Sequence, residues 1–175
     1  MSLRFARRWI LAALGAAVAV SPVWAQTKCE DPKVLRFSLV PTQDSVRELT
    51  YYKPILDQLQ KNTGKRIEFY MPTSYSSVVE ALLGKWVDVA VLGPESYVIA
   101  KSKEPTVEVF GTYSRVKNGI QEAGPGYKSV LITKKGGKFN DVASLKGAVL
   151  ALVDPASTSG ALIPENVFPK EAKTP

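Results

Sequence analysis

Short apolar runs alternate with amphipathic stretches over residues 34–113 of this 175-residue chain. Val34-Leu35-Arg36-Phe37-Ser38-Leu39-Val40 has the composition of a strand, and Pro41 stops it. Ser45-Val46-Arg47-Glu48 has the form of a capping box, and Tyr52, Ile55, Leu56 and Leu59 then recur at helical spacing up to Gly64. Pro54 inside that pattern predicts a short first turn followed by a helix starting near Tyr52. Arg66-Ile67-Glu68-Phe69-Tyr70 predicts a second strand. Ser77-Val78-Val79-Glu80 predicts a second capping box, with Val78, Val79, Leu82 and Leu83 as the buried stripe and Gly84 as the stop. Residues 87–92 read as a third strand, Gly93-Pro94 opens a helix running through Tyr97 to about Lys101, and residues 107–113 read as a further strand.

Strands and helices alternating at these lengths predict an α/β fold with a parallel, right-handed sheet, whose ligand loops lie at the carboxyl ends of the strands. The polar and aromatic clusters at 41–44, 73–77, 93–97 and 154–160 all fall at such ends. Past Tyr113 the texture changes. Residues 117–126 form a Gly/Pro-containing loop, 128–133 a strand, 134–138 a basic glycine turn, and 141–147 a single helical turn with a glycine stop. Two strands and one helix cannot enclose a core of their own, so this second region reads as unfinished.

The densest chemistry is in Asp154-Pro155-Ala156-Ser157-Thr158-Ser159-Gly160. It lies between an apolar run at 148–153, read as a buried strand, and residues 162–168, read as helix. First-turn N–H groups lack intrahelical acceptors and the helix dipole favours negative charge, so a strand–hydroxyl turn–helix unit is suited to an anion. The same spacing also suits a plain N-cap at Ser157 or Thr158.

Charge and composition narrow the classes of function. Arg4, Arg7 and Arg8, an apolar stretch over 9–20 and small residues at Val23 and Ala25 predict a cleavable export signal at 1–25 and a periplasmic product. The whole chain carries +7, and the three arginines and no acid of the leader leave +4 for the remainder. No Lys/Arg cluster is interleaved with aromatics, which argues against nucleic acid as a partner. Cys29 is the one cysteine, which precludes an internal disulfide, and the chain has no histidine. His-dependent triads are therefore excluded, and no catalytic residue, metal site or cofactor is expected. Lys134, Lys135 and Lys138 read as solvated surface rather than as activators of a serine.

Several of these stretches together resemble the phosphonate-binding family, the periplasmic components of phosphate/phosphite/phosphonate ABC importers. The resemblance rests on Thr73-Ser74-Tyr75-Ser76-Ser77, Ala81-Leu82-Leu83-Gly84 and Val87-Asp88-Val89-Ala90 followed by Gly93-Pro94-Glu95-Ser96-Tyr97. Gly126-Tyr127-Lys128-Ser129, Leu145-Lys146-Gly147 and the 154–160 stretch follow in the family's order. It implies a type II periplasmic binding protein-like α/β fold, two lobes with a ligand cleft, the second incomplete in this chain. The expected domains are a signal peptide at 1–25, an N-terminal extension at 26–33, a first lobe at 34–113 and a partial second lobe at 114–175. It also implies a site in which Ser157, Thr158 and Ser159 hold the oxyanion, Tyr75 reaches it from the first lobe and Tyr127 from the second. The implied partners are a small oxyanion and an ABC permease of the inner membrane, with the binding protein itself a monomer. Family members continue beyond this chain's Pro175, into the region that recognises the ligand's side group, which makes the chain a truncated form. The competing readings are a binder of another anion such as a sulfonate, a ligand-sensing ectodomain and, last, an enzyme of related fold.

Overall fold

The computed structural model describes residues 30–42, 45–119 and 121–171. The leader at 1–25 and Cys29 lie outside the described residues, as do Gln43 and Asp44 of the first polar cluster. The compact unit that carries the fold is Pro32–Pro175.

Its framework is a three-stranded parallel sheet in the order β2-β1-β3, formed by β1 (Val34–Leu39), β2 (Arg66–Tyr70) and β3 (Val89–Val91). The register pairs Val34 with Arg66 and Ser38 with Tyr70 on one side, and Phe37 with Val89 and Leu39 with Val91 on the other. β1 is central, so its second half is wholly buried at Phe37, Ser38 and Leu39. β2 is an edge strand and alternates, with Ile67 and Phe69 turned inward and Arg66, Glu68 and Tyr70 exposed. The one hydroxyl on the buried stretch of β1 is satisfied, because Ser38 Oγ donates to the Tyr70 carbonyl at 2.9 Å. Asp88 sets the start of β3: it accepts from the Arg36 backbone N–H at 2.8 Å and from Arg36 Nε at 3.2 Å, while its own N–H donates to the Arg36 carbonyl at 2.9 Å.

Three helices join these strands. α1 (Ser45–Thr63) is continuous, which corrects the expected break before Tyr52. Pro54 lies on the exposed side of α1, where the carbonyl left without its N–H donor can turn to water. α2 (Tyr75–Leu83) starts three residues before the expected box. Ser74 is the cap, accepting from Ser77 N, while Ser77 Oγ accepts from Ser74 N, so Ser77 is the far half of the capping box. The stop is as expected, but the left-handed residue is Lys85, at φ 59°, and not Gly84. Gly84 is needed for a different reason: a Cβ there would stand 2.9 Å from Trp86 Cδ1. α3 (Pro94–Lys103) opens with proline in its first turn, as its sequence predicts. Val78, Val79 and Ala81 of α2, Val87 just before β3 and Ala100 of α3 add to the core with β1.

The three later strands do not form. Residues 107–113, 128–133 and 148–153 are not assigned to any strand, and the sole pairing beyond β3 among the described residues is the antiparallel bridge Arg115–Gly124. The apolar side chains meant to be buried there are open to water, with Phe110 at 83%, Ile132 at 89% and Val149 at 97% exposure. A strand exists only where a second strand accepts its N–H groups, and none of the three has such a neighbour among the described residues. The turns between them are as expected: Gly136 and Gly147 take positive φ, and Ala143–Leu145 is a single helical turn. The final helix starts earlier than expected, as a widened turn over Thr158–Leu162 in which both Ala161 N and Leu162 N reach the Ser157 carbonyl. It continues as α4 (Ile163–Asn166) and α5 (Phe168–Glu171).

Candidate functional site

α2 begins just past the carboxyl end of β2, and α3 just past that of β3, so the two helix N-termini open on the same edge of the sheet. The 154–160 turn is fastened across both. Asp154 Oδ2 accepts from Tyr75 N at 3.1 Å, so a carboxylate occupies the first turn of α2. Thr158 Oγ1 accepts from Glu95 N at 2.8 Å in the first turn of α3. The fully buried Ser96 hydroxyl donates to the Ala156 carbonyl at 2.8 Å. A fourth attachment comes from the 128–133 segment, where Ser129 Oγ donates to the Ser159 carbonyl at 2.7 Å.

Within the turn, Asp154 Oδ1 accepts from Ala156 N at 2.9 Å and the Asp154 carbonyl accepts from Ser157 N at 2.8 Å. Ser157 is the N-cap, its hydroxyl accepting from Gly160 N at 3.2 Å. Val153 N closes the loop on the Gly160 carbonyl at 2.9 Å. That closure leaves no room at Gly160, where a Cβ would lie 2.5 Å from Val153 Cγ2 and 3.0 Å from Ser157 Oγ. The cap reading and the anion reading are thus compatible. Ser157 uses a lone pair as cap, the Thr158 hydroxyl keeps its proton for donation, and the Thr158 and Ser159 N–H groups, first in the helix, have no intrahelical acceptor by position.

The sequence-predicted residues come together here. The Tyr75 phenol lies beside the Ser157 hydroxyl and the Tyr127 phenol, both close enough to bear on its ionisation. Tyr75 is held above the usual tyrosine range, first by burial, with Tyr127, Asp154 and Glu48 adding to the effect and the Ser157 hydrogen bond opposing it. Its phenol is a neutral hydrogen-bond donor at any physiological pH. Ser159 contributes through its backbone, its carbonyl being taken up by Ser129. Asp154, Glu95 and Ser129 were not singled out as positioning groups, although Ser129 stands in the same Gly-Tyr-x-Ser pattern as Tyr127.

Around this pair lies a ring of further groups that spacing alone did not assemble. Tyr52 on α1 is also raised above its usual range, chiefly by burial and then by Tyr113 and Glu48, with Arg115 pulling the other way. The Arg115 guanidinium stands over two aromatic faces, 5.3 Å from the Tyr127 centroid and 5.6 Å from that of Tyr113. Among the described residues no group of three His, Cys, Asp or Glu side chains gathers as it would around a metal ion. The assembly combines neutral hydroxyl and amide donors with one nearby guanidinium and the carboxylates of Asp154 and Glu48.

A family model described as "ABC transporter, phosphonate, periplasmic substrate-binding protein" matches residues 37–175. The phosphate-import protein PhnD of Mycolicibacterium smegmatis is 30% identical over 134 residues, covering 76% of this chain and 40% of that protein. The phosphonates-binding periplasmic protein of Escherichia coli is 27% identical over 149 residues, covering 83% of this chain and 41% of that protein. Among solved structures, the binding-protein component of an ABC phosphonate transporter from Pseudomonas aeruginosa superposes with a TM-score of 0.63 at 22% identity, covering 83% of this chain and 47% of that one. The chain therefore spans 40–41% of the length of these two curated relatives and 47% of that solved structure.

Proposed function

Because the chain belongs to the family of periplasmic substrate-binding proteins of ABC phosphonate transporters, we propose that it binds a phosphonate-, phosphite- or phosphate-type oxyanion and delivers it to an inner-membrane permease. The fold is type II periplasmic binding protein-like, an α/β architecture on a parallel sheet. We assign residues 34–113 to its first lobe and 114–175 to part of its second, with the leader at 1–25 directing the product to the periplasm. Tyr75, Tyr127, Ser157, Thr158 and Ser159 are the ligand contacts in this reading. The observation that carries it is the fastening of the hydroxyl turn across two helix N-termini, through Tyr75 N to Asp154 Oδ2 and Glu95 N to Thr158 Oγ1.

The mechanism is recognition without chemistry. A bound oxyanion would exchange its water for the Thr158 and Ser159 N–H groups and the hydroxyls of Ser157, Thr158, Tyr75 and Tyr127. Neutral donors suit this role, since they carry no ionic hydration shell that must be stripped on closure. The test is calorimetric titration of this chain with methylphosphonate, phosphite, phosphate and methanesulfonate. Binding of at least one phosphorus oxyanion is expected, and replacing Ser157 and Thr158 together by Ala should weaken it by about 3 kcal/mol, the value of one or two charge-assisted hydrogen bonds. Binding of the sulfonate alone, or of none of the four, overturns the reading.

A further inference from the structure

We infer that Arg115 is a specificity-determining residue of this site, the cation that makes it prefer a doubly charged oxyanion to a singly charged one. The inference rests on the oxyanion-binding reading above and adds to it a residue outside the hydroxyl turn. The turn by itself has a charge deficit. The N-terminus of α2, which would otherwise face a ligand, is already occupied by the Asp154 carboxylate, and Glu48 adds a second negative charge within reach of Tyr75. Hydroxyl donors cannot offset two carboxylates, and a dianion entering beside them is repelled twice as strongly as a monoanion.

Arg115 is placed to offset part of that negative charge. Its guanidinium stacks on Tyr127, the phenol that borders Tyr75 and Ser157, and on Tyr113. Its backbone is pinned by the two-way bridge to Gly124, Arg115 N to Gly124 O at 2.8 Å and Gly124 N to Arg115 O at 3.0 Å. Arg115 makes no ion pair with a carboxylate among the described residues, in contrast to Arg36, which is tied to Asp88, and Arg66, which is tied to Glu68. A cation fixed by aromatic faces rather than by a counter-ion keeps its N–H donors and its field available to an incoming anion. Guanidinium stacking also orients Tyr127, so one side chain both aims the phenol and supplies the charge.

The experiment is titration of the wild-type chain, Arg115→Gln and Arg115→Lys with methylphosphonate, a dianion at pH 8.5, and methanesulfonate, a monoanion of similar shape, at low and high salt. Wild type should favour methylphosphonate, and that preference should shrink with salt. Arg115→Gln should weaken methylphosphonate by about fivefold, the upper value of a solvent-exposed ion pair, and methanesulfonate by less. Arg115→Lys should keep most of the preference. An unchanged ratio of the two affinities in Arg115→Gln, or an Arg115→Lys as impaired as Arg115→Gln, overturns the role of charge while leaving the oxyanion reading standing. Loss of all binding in wild type overturns the oxyanion reading and this inference with it. Should Arg115→Gln fail to fold, the salt dependence of the wild-type ratio decides: a ratio that does not move with salt overturns the inference.

Discussion

Residues 34–40 and 148–153 have nearly the same apolar texture, yet the first is a central strand and the second is exposed coil. β1 has β2 and β3 on its two sides and covering helices joined to it by short connections. Among the described residues the backbone hydrogen bonds of the 148–153 segment are local, Ala148 N to the Leu145 carbonyl and Val153 N to the Gly160 carbonyl. β-propensity is fitness for a half-buried pleated surface, not an instruction to form one. The sheet half of the molecule supplies that surface locally. The later half draws its order from the few polar attachments that hold it to the helix N-termini.

That contrast can be broken at its strongest point first. Gly160→Ala drives a Cβ into Val153 and Ser157 Oγ, and we expect about 3 kcal/mol of lost stability together with loss of oxyanion binding, read by denaturant titration and calorimetry. Identical truncations in the two halves give the next test. Val78→Ala, at a fully buried position, should cost about 2 kcal/mol, whereas Val149→Ala, at 97% exposure, should stay within about 0.5 kcal/mol. Equal costs would mean that the 148–153 segment is buried in solution and that the contrast between the halves is wrong. Asp154→Ala removes the acceptor of Tyr75 N and Ala156 N and should cost about 1–2 kcal/mol. Asp154→Asn, which keeps an acceptor and removes the charge, should cost less and improve dianion affinity.

The smallest expected effect is a pH dependence. The Tyr75 pKa is raised in the folded chain, so its contribution to stability is complete below pH 10.0, the ordinary value, and is lost as pH rises through the higher folded value. Stability should therefore be insensitive to this group from pH 6 to 9 and fall above pH 10. Tyr52 is raised as well and acts in the same direction, so Tyr75→Phe should reduce the alkaline loss without abolishing it. An alkaline limb that Tyr75→Phe leaves unaltered would assign the whole effect elsewhere.

Local signals read correctly where their physics is local. β2 at Arg66–Tyr70, the glycine and proline boundaries of α2 and α3, and the cap at Ser157 all depend on neighbours within a few residues. The five site residues were named from motif resemblance, and the structure brings Tyr75, Tyr127 and Ser157 together. Arg115, Tyr113 and Tyr52 were not legible, because nothing in their spacing says that a guanidinium on one extended segment will settle over a ring twelve positions away.

By itself the sequence determined the parallel α/β order, the stop of α2, the proline start of α3 and the hydroxyl turn, because periodicity, capping and φ preferences act over one or two turns of chain. Only the tertiary structure decided which apolar runs became strands, since a ladder needs a second partner that no segment carries within itself. It also decided that Asp154 would occupy the start of α2 and that Arg115 would stand over the Tyr127 ring, because electrostatic balance depends on distances across the fold and not on positions along the chain.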